Sequence, residues 1–217
     1  DDCRTVSGMS GVRGVYFSES YAVPKVAVTN NANVYTTGIY NATGINYKGE
    51  GMVVAILDTG LDYTHEAFQM TLKNPAWDKN YVAQRMAAAG SGFYAKASVD
   101  DVFYNTKVPF AYDYADDDAD VFPQYSSHGT HVAGIIAAAN NKIGTVGVAY
   151  NVKIMAVKAG QATGVFLQSD IAEAIVYAYT HGADVINMSF GGSACSIAVQ
   201  DALQSAYTTS TLVAAAG

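Results

Sequence analysis

Three segments of this sequence carry residue types that can do chemistry, and each adjoins an apolar run. Asp58 is a carboxylate at the mouth of the apolar run over residues 52–57. His128 opens a segment whose glycines and alanines allow close packing. Residues 185–192 run as a strand into a pair of glycines. Carboxylates and imidazoles are common proton-transfer groups, and glycine lets another backbone approach closely. These residue types indicate acid–base chemistry beside a strand that could hold a peptide.

The same residues leave two other chemistries open. Asp58-Thr59-Gly60 after an apolar strand is also the signature of aspartic proteases. His128 and His131 lie three residues apart on one helix face, a spacing that could hold a metal ion. A third ligand for such a metal is not obvious in the sequence.

The elements that must position these residues alternate between strands and helices. Apolar runs predict strands at 52–57, 153–158, 184–188 and 211–216, and helical patterns occur at 79–89, 128–139, 169–181 and 197–207. This alternation predicts an α/β fold with a mostly parallel sheet and helices on both faces. In such sheets the ligand crevice lies at the carboxyl ends of the strands, where Asp58 and Ser189 fall.

The helix predicted at 169–181 has the clearest sequence signals. Ser169 and Asp170 suit its N-terminal cap, and Gly182 stands where a left-handed residue would end it. The helix would bury a stripe formed by Ile171, Ile175 and Ala178.

The order of these motifs resembles the subtilase family of serine proteases. The shared motifs begin at Asp58, His128 and Asn187 (Asp-Thr-Gly, His-Gly-Thr-His-Val-Ala-Gly and Asn-Met-Ser-Phe-Gly-Gly), within residues 49–217. Residues 65–68 and 107–116 are similar to the cell-envelope branch, the lactocepin-like and C5a-peptidase-like proteases. The resemblance implies a subtilisin-like three-layer fold and a serine endopeptidase that needs no cofactor and acts on protein or peptide substrates.

The resemblance also implies roles for individual residues. Asp58 would fix the tautomer of His128, and His128 would take the proton from a serine hydroxyl and return it to the leaving amine. Two backbone segments would pair with the substrate as an added strand. They are Gly164, Val165 and Phe166 on one side and Ser189, Phe190 and Gly191 on the other.

Two parts of the family's machinery have no counterpart in residues 1–217. Family members continue Ala-Ala-Gly with an oxyanion asparagine, and their Gly-Thr-Ser-Met-Ala nucleophile segment lies further downstream. The sequence ends at Gly217, so we expect an N-terminal portion of a catalytic domain that is inactive alone. A pseudoprotease or binding module is the alternative hypothesis.

The resemblance divides the chain into three parts. Residues 1–28 are similar to the C-terminal end of a subtilase propeptide, residues 29–48 suit a linker or N-terminal arm, and residues 49–217 are the catalytic portion. Self-cleavage is expected between Ala22 and Val34. The propeptide itself would be a partner that sits on the catalytic domain.

A loop that binds calcium in many subtilases is also matched in part. It comprises Ala139, Asn141, Ile143 and Thr145. Calcium prefers several oxygens that include carboxylates. The aspartate that normally completes this site aligns with Ala67, so the match makes calcium a weak prediction.

Composition and net charge limit the partners and sites that the sequence can have. The net charge of −7 disfavours a nucleic-acid partner, and no apolar run approaches the length of a membrane span. Cys3 and Cys195 are interpreted as thiols rather than a bridge. His65 and His181 are predicted as surface or capping histidines, and residues 116–120 as a solvated acidic loop. The resemblance implies a secreted or cell-wall-associated bacterial protein.

Overall fold

The computed structural model describes residues 20–22, 47–72, 77–89, 97–192 and 196–216. The strands in these ranges are β1 (Ser20–Ala22), β2 (Val53–Asp58), β3 (Phe110–Asp113), β4 (Lys153–Lys158), β5 (Val165–Leu167), β6 (Val185–Met188) and β7 (Thr211–Ala214). The helices are α1 (Lys79–Ala89), α2 (Val99–Val102), α3 (His128–Ala137), α4 (Gln168–Thr180) and α5 (Ile197–Ala206), with a 3₁₀ helix over Glu66–Phe68.

The central sheet has the strand order β3-β4-β2-β6-β7, and every neighbouring pair is parallel. All six residues of β2 are buried, as are all six of β4. Continuous apolar strands are typical of a parallel sheet that is covered on both faces. The predicted α/β class is therefore confirmed.

Residues of β2 alternate between two hydrophobic cores. The odd-numbered residues from 53 to 57 pack in the core that contains the inner faces of α4 and α5. Residues 54 and 56 pack in the core that contains the inner face of α3. Successive side chains of a strand point to opposite faces, so α3 lies on one side of the sheet and α4 and α5 lie on the other. The result is the predicted three-layer arrangement.

The structure of α4 agrees with most of the signals in its sequence, but the helix begins one residue earlier than predicted. Ile171, Ile175 and Ala178 are buried as predicted, and Gly182 adopts a φ of +85°. The predicted cap at Ser169 and Asp170 is wrong, because α4 begins at Gln168 with Leu167 as its N-cap. Strand β5 runs directly into the helix, so no loop precedes it.

Other boundaries differ by one or two residues. Helix α3 ends at Ala137, two residues before the predicted end, and β7 ends at Ala214. Helix α1 and strand β4 have the predicted bounds. In the described part of the chain, we find no helix with the length and apolar character needed to cross a bilayer.

Some predictions concern residues outside the described ranges. Cys3 and Cys195 both lie there, as do most of residues 1–28 and residues 29–46. The interpretation of the thiols and the three-part division of the chain therefore stay predictions.

A buried lysine joins the start of β3 to the loop before β4. Lys107 is fully buried, and its Nζ donates to the carbonyl oxygens of Tyr150 (2.8 Å) and Val152 (2.7 Å). Burial, with a smaller contribution from Lys153, lowers the pKa of Lys107 from 10.5 to about 7. A neutral amine has two N–H donors, and two carbonyls are the partners that it meets here. With a pKa near 7, we expect Lys107 to be mostly neutral in the folded protein at mildly alkaline pH.

This lysine predicts that the protein becomes more stable as pH rises above 7. Between pH 7.5 and 9.5 the unfolded chain binds a proton at Lys107 that the folded chain does not bind, so the free energy of unfolding increases with pH. We expect a gain of the order of 2 kcal/mol across this interval in urea unfolding experiments. Lys107→Met should remove that gain. An equal pH dependence in the variant would contradict the assignment.

Candidate active site

Asp58 lies at the carboxyl edge of the central sheet. It is the last residue of β2, and only 1% of its surface is exposed. Its Oδ1 accepts hydrogen bonds from the backbone N–H of Thr59 at 2.7 Å and from Nδ1 of His128 at 2.8 Å. Strand pairing on both sides of β2 fixes the backbone of the carboxylate, and burial keeps most of the water away from it. The side chain is thus held in one orientation toward the imidazole.

His128 is the first residue of α3, and its ring is partly buried against Asp58. The hydrogen bond to Asp58 raises the pKa of His128 above its ordinary value of 6.5, against the opposing effect of burial and with a smaller contribution from the carboxylate charge. When Nδ1 donates to a carboxylate, the lone pair of the neutral ring is on Nε2. The arrangement therefore makes Nε2 the basic atom of the pair.

Gly129 permits this close approach of α3 to β2. A Cβ at position 129 would lie 2.2 Å from the carbonyl oxygen of Gly60 and 3.0 Å from Cβ of Asp58. Real side chains do not approach backbone oxygen that closely, so any larger residue must displace the turn after Asp58. The first turn of α3 therefore needs glycine for a packing reason.

A buried ion cluster stands beside Asp58 at the same sheet edge. Lys158 ends β4 and pairs in register with Asp58. Its Nζ is bonded to the carboxylates of Asp113 and, at 2.7 Å, Asp116. Burial opposes the charge of Lys158, but these two hydrogen bonds outweigh it and raise the pKa of Lys158. The carboxylates of the acidic loop are exposed as predicted, and one of them, Asp116, also reaches Lys158.

The two segments predicted to hold substrate, residues 164–166 and 189–191, lie close together and are called the substrate walls below. Their rings stack, with 4.5 Å between the ring centroids of Phe166 and Phe190. Gly164 precedes β5 with a φ of +78°, and Asn187 donates to the hydroxyl of Ser189 at 2.9 Å. The geometry brings the six predicted residues to the two sides of one cleft.

Strand β1 lies between the substrate walls. It pairs antiparallel with β5, with Tyr21 opposite Phe166 and Ala22 opposite Val165. On the other side, Ala22 and Gly191 exchange two backbone hydrogen bonds of 3.1 and 3.2 Å. The chain itself therefore supplies an added strand that joins the two walls.

The side chain of Tyr21 lines an apolar cavity behind this strand. The cavity has a volume of about 230 Å³, and its lining includes Ile171, Met188, Phe190 and Leu203. The rings of Tyr21 and Phe190 meet edge to face, with centroids 6.4 Å apart. A Cβ at Gly192 would lie 2.7 Å from the Tyr21 ring. The cleft thus has room for a large aromatic side chain.

Comparison with known proteins identifies the family. The model of the subtilase family matches residues 49–217. The chain belongs to the subtilase family. This confirms the resemblance of the motifs, and the structural neighbours below confirm the subtilisin-like fold.

Relatives of this subtilase include a thermophilic serine proteinase of Bacillus sp. (strain AK1), 36% identical over 85% of this chain and 37% of that protein. The PI-type proteinase of Lactococcus lactis subsp. cremoris is 30% identical over 92% of this chain and 10% of that protein, consistent with the cell-envelope branch. The chain thus spans well under half the length of these relatives. Among solved structures, sphericase has a TM-score of 0.57 and 25% identity and covers 83% of this chain and 51% of its own.

Calcium binding is common among subtilases, but the predicted loop of this subtilase offers a poor donor set. Oδ1 of Asn141 already accepts the N–H of Ile143 at 3.0 Å, and its Nδ2 donates to the carbonyl of Glu66 at 3.0 Å. The backbone N–H of Ala139 donates to the carbonyl of Ala67 at 2.8 Å, where a carboxylate would be needed. The residues present therefore do not fit calcium well, and no step below uses it.

The other histidines lie apart from the pair. His65 is exposed and its Nδ1 caps the 3₁₀ helix, as predicted. His181 ends α4 as a capping residue but is fully buried rather than on the surface, and burial lowers its pKa to about 4. Among the described residues, no cluster of three potential metal ligands accompanies His131. Sequence reasoning missed the role of Lys158, and it predicted close packing by the glycines after His128 without identifying the partner of Gly129. The partners of both residues lie far away in the chain.

Proposed function

We propose that the protein to which this chain belongs is a serine endopeptidase. The observation that carries the proposal is the 2.8 Å contact between Nδ1 of His128 and Oδ1 of Asp58 at the mouth of a substrate cleft. Nε2 of His128 would take the proton from a serine Oγ as that oxygen bonds to the substrate carbonyl carbon. The C–N bond would then break as the protonated imidazole returns the proton to the amine. Water would release the acyl group by the same route.

We also propose that residues 1–217 hydrolyse no peptide by themselves. The resemblance assigns the serine and the oxyanion asparagine to family segments that have no counterpart in these residues. Loss of an oxyanion donor alone costs roughly 10²–10³ in rate, and loss of a triad residue costs more. Peptidase activity would require a further polypeptide segment that supplies the serine.

The proposed substrates are proteins or peptides in an extended conformation. The support is the way in which β1 engages the cleft, through backbone bonds to both β5 and Gly191. A substrate could add a strand in the same manner, with affinity from the main chain and selectivity from the cavity that Tyr21 lines. This binding mode needs no metal and no nucleic acid.

Strand β1 further supports the proposal that the N-terminal segment is a propeptide and an inhibitory partner. An extended segment that occupies the substrate walls would block them until it is cut and released. The predicted cut lies between Ala22 and Val34, directly after the part that occupies the cleft. N-terminal sequencing of the purified mature protein would test this, and a mature form that still carries Ala22 or residues before it would contradict it.

The relatives also support an extracellular location. One relative is a thermophilic serine proteinase and another is a lactococcal PI-type proteinase, of the cell-envelope branch that residues 65–68 and 107–116 resemble. We therefore propose that the complete protein is secreted or attached to the cell wall.

Labelling with a serine-reactive fluorophosphonate tests the proposed function on the complete protein. We expect covalent labelling and loss of peptidase activity, with no inhibition by pepstatin and none by a chelator. Inhibition by pepstatin would indicate an aspartic protease, and inhibition by the chelator would indicate metal chemistry. A complete protein without labelling or peptidase activity would favour the pseudoprotease hypothesis.

A further inference from the structure

Thr59 connects the two segments that carry Asp58 and His128. It is buried, with 3% of its surface exposed, and its backbone N–H donates to Oδ1 of Asp58 at 2.7 Å. Its hydroxyl donates to the carbonyl oxygen of Ser126 at 3.0 Å, lies 3.3 Å from Oδ1 of Asp58, and accepts the N–H of Gly129 at 3.2 Å. One side chain thus bonds to the second residue before α3 and to the second residue of α3, across a sequence separation of about 70 residues.

The hydroxyl is well matched to both of these contacts. A threonine hydroxyl has one donor and two acceptor lone pairs, and here it donates to one backbone oxygen and accepts from one backbone N–H. Ser126 extends the network, because its Oγ accepts the N–H of His128 at 3.4 Å. The Thr59 hydroxyl therefore fixes both the approach to α3 and its first turn against the turn that follows β2.

We infer that Thr59 is a positioning residue that holds the imidazole of His128 within hydrogen-bonding distance of the Asp58 carboxylate through Ser126 and Gly129. The inference rests on the proposed function in one respect, because it takes Asp58 and His128 to be the catalytic pair. Asp58 is held by strand pairing, but His128 sits at a helix terminus, where its own backbone N–H depends on a side-chain acceptor. Without the Thr59 hydroxyl, Ser126 and Gly129 lose the side-chain bonds that hold them to the turn after β2. The bonds of Thr130 to Asp62 and of His128 to Asp58 then remain between α3 and this region.

The test measures the pKa of His128 by NMR titration of the full chain, with and without a substitution at Thr59. In Thr59→Val the side chain keeps its shape but loses every contact of the hydroxyl, with Ser126, Gly129 and Asp58. We expect the pKa of His128 to fall toward its ordinary value of 6.5, because the imidazolium loses contact with Asp58. Thr59→Ser restores the hydroxyl and should restore the pKa.

A matched control variant distinguishes the positioning role of Thr59 from the loss of any hydroxyl in this loop. Thr64 lies in the same loop and donates to Asp62 at 2.6 Å, but it is exposed. Thr64→Val should leave the pKa of His128 unchanged. If Thr59→Val does not fold, Thr59→Cys keeps the volume with a weak donor and acceptor, and the same fall is expected.

The inference fails if Thr59→Val, or Thr59→Cys in its place, titrates at His128 as the unchanged chain does. It also fails if Thr59→Ser does not restore the titration. A purely structural role would lower the unfolding temperature of Thr59→Val without moving the pKa of His128 in the folded state. Neither failure touches the proposed function, which depends on the labelling of the complete protein.

Discussion

Replacing His128 by alanine in the complete protein is expected to lower kcat/KM for peptide hydrolysis by at least about 10⁴-fold. The reason is that Nε2 of His128 is the base that the proposed serine requires, and the contact with Asp58 raises the pKa of that imidazole. Self-cleavage of the propeptide uses the same machinery, so the precursor should accumulate in parallel. Steady-state kinetics and gel analysis of maturation measure the two effects.

The matched control for this change is His65→Asn. His65 is also a histidine but is exposed and caps the 3₁₀ helix, a role that asparagine can fill. Its activity and maturation should stay close to those of the unchanged protein. A His128→Ala protein that matures normally, with no other protease present, would contradict the assignment of His128.

The second large effect is expected for Gly129→Ala. The added Cβ would lie 2.2 Å from the carbonyl oxygen of Gly60, so the turn after Asp58 or the start of α3 must move. A displacement of about 1 Å in a catalytic pair costs on the order of 10²-fold in rate, and overpacking costs about 1–3 kcal/mol of stability. Kinetics of the complete protein and thermal unfolding of the chain measure these losses.

Gly134→Ala provides the control on the same helix. Nothing lies within 4 Å of a Cβ built at Gly134, so the same substitution meets open space there. Alanine is the better helix former, and we expect unchanged activity with a gain of about 0.5–1 kcal/mol in stability. Equal losses at positions 129 and 134 would show that the close approach of α3 to β2 does not explain the need for glycine.

The sheet could be predicted from sequence where its strands are long and buried on both faces. The apolar runs that become β2 and β4 have that form, and α4 shows its buried stripe at Ile171 and Ile175. Strands β3 and β5 were not predicted, because they have only four and three residues. β5 pairs with β1, about 145 residues earlier in the chain, and no local pattern encodes such a pairing.

The residues of the candidate site also divide into those that the sequence could predict and those that it could not. The motifs around Asp58 and His128 are local, so the sequence could propose them as a pair, and the parallel sheet and α3 bring them to one edge. Thr59, Gly129 and Lys158 acquire their importance from atoms up to 70 residues away. The sequence showed a threonine in a turn, a glycine in a helix and a lysine after an apolar strand, and each of these is common. Only their tertiary contacts reveal what they hold in place.

The most direct test of this account is NMR titration of His128 in the chain and in its Asp58→Asn variant, with the resonance assigned by its absence from His128→Gln. If the carboxylate and the imidazole meet as described, His128 titrates above 6.5 in the unchanged chain. In Asp58→Asn the charge and the strong acceptor are gone, and the pKa should fall. A pKa of His128 that is the same in both proteins would contradict the contact on which the proposed catalysis depends.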